Sequence, residues 1–254
     1  MTDHADQPIK PAATVIIARD AESDGPGIEI FMLRRTSQAA FAGGMYVFPG
    51  GRVEDEDHAP TLDPFRTGPG PAQERQVQAI GDHWRGFWIA AIRETFEESG
   101  LLLAYDAAGD MLHWSEPATA RRFEAHRDAL NRGDLDLLEL CRQERITLAC
   151  DHVHFYNRWV TPLGRPRRFD TRFFIAEAPA HQVGTHDQRE TVHSIWIAPR
   201  EALDQHAAGQ FGLMAVTERQ LDSLKDFDSV ADLHRWALAL EDFPTFRPVL
   251  PAGA

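Results

Sequence analysis

Apolar and polar positions change rhythm several times along the chain. Residues 12–19 (AATVIIAR) form a β-branched run bounded by the turn-like DAESDGPG, which predicts a strand. Residues 28–34 (IEIFMLR) alternate loosely and predict its hairpin partner. MYVF at 45–48 predicts a third short strand, ending at the strong turn signal Pro49-Gly50-Gly51. Residues 58–82 carry four prolines, three glycines and a polar QERQVQ stretch, and predict an irregular excursion with one helical turn. The most regular stretch follows: Trp84, Phe87, Trp88, Ala91, Ile92, Thr95 and Phe96 recur at helical spacing, and Gly100 stands where a C-terminal cap belongs. LLLAYD then predicts a strand or extended segment. Residues 117–145 predict two helices split at Asn131-Arg132-Gly133. FYNRWVTP, RRFDTRFFIAEAP and SIWIAP predict three further strands, the last followed by a short helix from Pro199. Residues 216–240 predict helix again.

This is a mixed α and β pattern in a chain of 254 residues, long enough for one elaborated domain. A formal net charge of −13 gives no electrostatic reason to coat nucleic acid or an anionic membrane. An anionic substrate must therefore meet a local basic patch or a metal. Cys141 and Cys150 have no partner at metal spacing, and a reducing cytoplasm is the simplest expectation. The polar N-terminus, with an apolar run of only about seven residues after it, predicts neither a signal peptide nor a membrane span. The final PAGA is not a peroxisomal address.

The helix over 84–99 has a second face. Glu94, Glu97 and Glu98 stand at i, i+3 and i+4, so three carboxylates project side by side and repel. A solvated acidic face is the ordinary explanation of such a cluster. Against it, the aromatic face of the same helix fixes its position in the fold, Arg93 can pair with Glu97 one turn on, and a strand and the Gly50-Gly51 turn precede the helix. A hard divalent cation explains the cluster best, because it takes oxygen ligands and turns the acidic face into an anion site. The reaction that follows is hydrolysis of a phosphorus anhydride.

Arg93-Glu94-Thr95-Phe96-Glu97-Glu98-Ser99-Gly100-Leu101 resembles the second half of the Nudix box, R-E-U-x-E-E-x-G-U, with Thr95 departing at an aliphatic position. Phe48-Pro49-Gly50-Gly51 resembles the strand and turn that open it. The spacing from Gly51 puts Asp57 at the first acid of the box, though Glu54, Asp55 and Glu56 are also within reach. Then 35 residues stand before Arg93 where the box has seven. This resembles the branch with a long insertion inside the box, whose characterised members include coenzyme A diphosphatases. Trp159-Val160-Thr161-Pro162 and residues 168–174 are similar to that branch too.

The resemblance implies a Nudix α/β/α sandwich: one domain over 1–254, with a core of about 12–205, a box insertion at 58–92, a helical insert at about 106–147 and a C-terminal helical extension at 206–254. It implies that Glu94, Glu97 and Glu98 bind Mg2+ or Mn2+, that Arg93 orients them, and that Gly51 permits the tight loop-to-helix geometry. Glu190, just ahead of a predicted strand, is the candidate general base. Arg34, Arg35, Arg168 and Arg172, with Gly50 and Gly51, are the candidate substrate contacts. The implied partner is a small diphosphate, first coenzyme A or an acyl-coenzyme A. The alternatives are NADH, ADP-ribose, damaged nucleotides, or a non-catalytic ligand-binding regulator that reuses the fold. Homodimers are common in this family. His152 and His154 have no evident third ligand, and the tryptophans predict core packing.

Overall fold

The computed structural model describes residues 7–22, 25–39, 42–114, 116–187 and 190–249. The first six residues and the terminal PAGA lie outside them. In chain order the strands and helices are β1 (Ile9–Asp20), β2 (Ile28–Arg35), β3 (Tyr46–Val47), β4 (Gly50–Arg52), β5 (Arg66–Thr67), α1 (Glu74–Ile80) and α2 (Trp84–Ser99). Then come β6 (Ala104–Tyr105), α3 (Pro117–Arg132), α4 (Leu137–Glu144), β7 (Thr147–Ala149), β8 (Val153–Val160), β9 (Arg168–Glu177) and β10 (Thr191–Ile197). The chain closes with α5 (Pro199–Ala207), α6 (Ala215–Leu224), α7 (Val230–Ala239) and β11 (Thr245–Phe246).

The main sheet runs β10-β2-β1-β9-β8-β11. β1 lies parallel to β9 and antiparallel to β2, so the sheet is mixed. Both faces of β1 are buried: Ala13, Val15 and Ile17 join the core under α2, while Ile16 and Ala18 join the core under α5–α7. A strand covered on both faces needs an apolar run rather than alternation. Helices thus cover both sides of the sheet, the expected sandwich.

β1 and β2 diverge beyond their pairing at Ala18–Asp20, and the chain over 46–52 fills the wedge between them. β3 pairs with β2, and β4 pairs with β1 through Thr14↔Gly50, Ala13↔Gly51 and Ala12↔Arg52. Gly50 and Gly51, expected in a turn, therefore lie in a short strand, because β1 offers its free edge there.

α2 spans the residues its periodicity predicts. Gly100 caps it in the left-handed conformation (φ 74°), with its N–H bonded to the Phe96 carbonyl at 2.9 Å. Burial extends further round the helix than expected. Trp88, Ile92 and Phe96 are joined by Ile89 and Ala90, all essentially inaccessible, because the sheet covers one side and the inserted segments cover the other. Each large side chain buried here stabilises the fold by about 2 kcal/mol. The Trp88 ring meets Phe174 edge-on at 5.1 Å and its Nε1–H donates to the Val153 carbonyl at 2.8 Å.

Several other elements differ from the sequence expectation. Residues 84–92 are the first half of α2, so the excursion inside the box is 58–83. It holds two short 3-10 turns, the seven-residue α1 and β5 rather than one helical turn. LLLAYD contributes only the two-residue β6, because Leu101, Leu102 and Leu103 pack into the core instead of pairing along a strand. The 216–240 helix is two helices, the second capped by the Ser229 side chain on the Asp232 N–H. β5 pairs with β7, which pairs with β6, so a three-stranded sheet ties the 58–83 excursion to the strands on either side of α3 and α4. α3 ends at the expected split, on the Gly133 cap, and α4 starts from the Asp136 N-cap.

Candidate active site

The last two turns of α2 carry Arg93, Glu94, Glu97 and Glu98 over the wedge strand β4. The fit at Gly50 and Gly51 leaves no room for a side chain. A Cβ at Gly51 would fall inside the Glu94 carboxylate, and one at Gly50 would strike the Ala13 carbonyl and Thr14 of β1. The Gly50 N–H donates to Glu98 Oε2 at 3.0 Å. The glycines thus let β4 pass between β1 and the helix carboxylates.

Arg93 is the hub of the cluster. Its Nε and Nη2 form a fork on Asp57 at 2.8 and 2.9 Å, and Nη2 also donates to the Arg52 carbonyl at 2.9 Å. Its Nη1 reaches Glu94 Oε1 at 2.9 Å and Glu97 Oε2 at 3.1 Å. Of the four acids at 54–57, Asp57 is the one that meets Arg93. It is only 2% exposed, at the end of a capping box in which its Oδ2 also accepts the Glu54 N–H at 2.9 Å.

Electrostatically the cluster is short of positive charge. Burial, and then the neighbouring acids, push the Glu94 carboxyl up to about 7 despite the pull of Arg93. Burial raises Glu97 as well, and lifts Glu98 well above the usual carboxylate range, with Glu94 adding to the effect. Burial alone lowers the Arg93 pKa, but its bonds to Asp57 and the charges of Glu94, Asp57 and Glu97 more than offset this, so it stays charged.

Glu190 stands on the Glu98 side of this cluster and pairs with Arg35 at 3.0 Å; both charges act on Glu98. The Glu190 side chain is 62% exposed. Its loop is tied down, because Asp187 accepts the Glu190 and Thr191 N–H groups and the Thr191 hydroxyl, while the Glu190 carbonyl accepts the Thr36 N–H. The Nε of Arg35 is buried without a partner. Arg34 points to the opposite face of β2, exposed, over the Tyr46 ring at 5.9 Å. Arg168 donates to the Thr161 and Gln7 carbonyls, both at 3.3 Å. Arg172 is buried, bound to Asp170 at 2.5 Å with its guanidinium 4.3 Å above Phe87. The structure therefore gathers Asp57, Arg93, Glu94, Glu97, Glu98, Gly50, Gly51, Arg35 and Glu190. It commits the guanidinium groups of Arg168 and Arg172 to the protein itself.

Three neighbours of the site had no sequence signal for their roles. Arg127 and Asn131 of α3 donate to the carbonyls at the end of α2. His58 packs its ring so closely on Gly86 of α2 that only glycine fits there.

A family model described as the NUDT19 Nudix domain matches residues 64–216, more than half of the chain. The chain is 28% identical over 255 residues to the human acyl-coenzyme A diphosphatase NUDT19, an alignment covering 88% of this chain and 68% of that protein. It is 29% identical to the same-named protein of Gallus gallus, covering 96% of this chain and 75% of that one. In fold it matches the crystal structure of a NUDIX hydrolase from Alicyclobacillus acidocaldarius, with a TM-score of 0.71 over 91% of this chain and 97% of that one at 24% identity. The sheet flanked by helices, the carboxylate helix lying on a glycine strand, and a family match running through that helix lead to one assignment: this chain belongs to the Nudix hydrolase family, in the branch of the NUDT19 Nudix domain.

Proposed function

We propose that the chain hydrolyses the diphosphate bond of coenzyme A or an acyl-coenzyme A, releasing a phosphopantetheine half and an adenosine bisphosphate half. The observation that carries this is the set of three carboxylates on α2, Glu98 buried and Glu94 and Glu97 half-buried, in a chain whose relatives are named acyl-coenzyme A diphosphatases. Nudix hydrolases generally use divalent metal ions. The donor set fits one: Arg93 is the cation bonded to Asp57, Glu94 and Glu97, and Glu98, which accepts the Gly50 N–H, adds a fourth acid. Among the described residues no three His, Cys, Asp or Glu side chains already converge on one point. That suits a cation held partly by substrate phosphate and water.

Glu94, Glu97 and Glu98 would hold Mg2+ or Mn2+, which when bound activates water and neutralises charge on the phosphate oxygens. Asp57 holds Arg93 so that it takes one oxygen each from Glu94 and Glu97. The Gly50 N–H fixes Glu98. Glu190, held by Arg35 and open to solvent, would accept a proton from the attacking water. Arg35, whose charge acts on Glu98, is the candidate phosphate contact beside the cluster. Among the described residues no helix is long and apolar enough to cross a membrane.

Phosphate release, coupled to a phosphatase, across coenzyme A, acetyl-coenzyme A, NADH, ADP-ribose and nucleoside triphosphates with Mg2+ and then Mn2+ tests this. Selective turnover of the coenzyme A compounds is expected. Turnover of another diphosphate keeps the chemistry and replaces the substrate. Stabilisation by ligand with no turnover of anything replaces the enzyme with a binding module.

A further inference from the structure

We propose that Arg127, carried by the helical insert, is a positioning residue that fixes the carboxylate end of α2 against the loop leading to Glu190. The proposal rests on the reading of that end of α2 as the catalytic cluster.

α3 buries Phe123, Arg127 and Leu130 on one stripe, so an arginine occupies a place where the pattern calls for an apolar side chain. Its guanidinium is spread over two separate stretches of chain. Nε donates to the Glu97 carbonyl at 2.9 Å and Nη2 to the Glu98 carbonyl at 2.5 Å. Nη2 also reaches the Thr185 carbonyl at 3.0 Å, and Nη1 the Thr185 hydroxyl at 3.2 Å. Asn131, one turn on, donates to the Glu97 carbonyl at 3.1 Å. Both acceptor residues on α2 are ones whose side chains form the carboxylate cluster, so Arg127 holds Glu97 and Glu98 by their main chain.

The physical need is plain. The last carbonyls of a helix lack intrahelical partners and carry the negative end of its dipole. Placing Glu94, Glu97 and Glu98 at that end adds like charge to like. A buried guanidinium on the carbonyls opposes both effects. Gly100 keeps the approach open, since a Cβ there would lie 3.2 Å from Arg127 Nη1. The second stretch is anchored in parallel: the Thr185 N–H donates to the Ser99 carbonyl at 2.8 Å, and Gln182 bonds the Leu102 N–H and carbonyl at 2.8 and 3.0 Å. Two residues after Thr185, Asp187 organises the turn that presents Glu190. Lysine has a point charge and no fork, so it cannot span Glu97, Glu98 and Thr185 together.

The test compares full-length Arg127→Met, Arg127→Lys and Phe123→Leu with the unaltered protein. Phe123 packs on the same stripe and touches nothing in the carboxylate cluster, so it reports simple weakening of α3. Three quantities are read: amide hydrogen exchange over 97–101 and 184–191, Mn2+ affinity by electron paramagnetic resonance, and kcat against KM. In Arg127→Met both segments should exchange faster together, by about tenfold or more, the size expected from losing a charge-assisted hydrogen bond. Mn2+ affinity and kcat should fall with them while KM moves less. Arg127→Lys should restore protection over 97–101 more than over 184–191, and this comparison stands if the methionine variant does not fold. Phe123→Leu should lower the melting temperature with all three quantities near those of the unaltered protein. The proposal is overturned if Arg127→Met behaves like Phe123→Leu, or if only one segment loosens. If the unaltered protein hydrolyses no diphosphate yet Arg127→Met still loosens both segments, the function fails and the positioning role stands.

Discussion

Asp57→Asn removes one charge from the most enclosed contact of the site and changes almost nothing in shape. Asp57 is 2% exposed and the Arg93 side chain 14%, so water screens their forked contact little. Breaking a buried ion pair by removing one partner costs about 3–5 kcal/mol. Arg93 keeps Glu94, Glu97 and the Arg52 carbonyl, and Asn keeps one acceptor, so about 2–3 kcal/mol is the expected loss. In a chain of this length that lowers the melting temperature by about 4–12 °C. A second effect separates this account from mere destabilisation. Arg93, released from Asp57, is drawn onto Glu94 and Glu97 and competes with any cation there, so Mn2+ affinity should fall in the folded protein at a temperature well below melting. Asp57→Glu supplies a longer acid at the same place. It keeps the charge but forces a methylene into a filled site, so stability should fall by about 1–3 kcal/mol with Mn2+ affinity largely kept. Calorimetry and an Mn2+ titration read both outcomes. Asp57→Asn that melts within 1 °C or so of the unaltered protein, with unchanged Mn2+ affinity, would refute the account of Arg93 as a guanidinium held in place from outside the cluster.

Gly51→Ala should displace the Glu94 carboxylate and cut turnover steeply, even if the fold survives; unchanged kcat would show that Glu94 does not need the close approach over β4. Glu98→Gln replaces an acid that burial and Glu94 already push toward its neutral form, so the metal-free melting temperature should hold or rise while turnover is lost; an active variant removes Glu98 from the metal set. Stability should fall on acidification through His154. Burial, and then His234 and His152, hold it down to about 3 in the folded protein, below its unfolded value of 6.5. The unfolded chain therefore takes up the proton first, so stability is kept above pH 6.5 and lost progressively below it, by about 2 kcal/mol at pH 5. Urea unfolding at pH 7 and pH 5 measures this, and His154→Gln should flatten the difference; an equal slope in the variant assigns the loss to other groups.

What the sequence made legible was whatever rests on periodicity or on a local cap. α2 was readable to the residue because its apolar spacing and Gly100 agree, and α3 and α4 because Gly133 separates them. The carboxylate cluster was readable because three glutamates on one helix must share a face. Less could be read where pairing is set by distant chain. β5, β7 and β11 have too few residues for any rhythm, and β4 is two glycines and an arginine whose strand character comes from the free edge of β1. The choice of Asp57 among four neighbouring acids depends on which one the capping box buries against Arg93. Arg127 lies in a run of charged residues, RRFEAHRD, that reads as helix surface, and only the tertiary placement of α3 reveals its role.

The three-stranded sheet shared by β5, β6 and β7 also bears on how such a chain is gained and lost by duplication or trimming. The two added segments are far apart in the sequence, separated by α2, yet each completes the other. Excising 58–83 alone would strand β7 without its parallel neighbour, leave Arg85 without its paired bonds to Asp63, and remove Gln73 and Gln76, whose side chains bond the β8 main chain at Val153 and Phe155. Excising 106–147 alone would bare the outer side of α2. Neither ornament is separable from the other, so a minimal version of this enzyme has to lose both at once, and chimeras that swap one of them should yield insoluble protein.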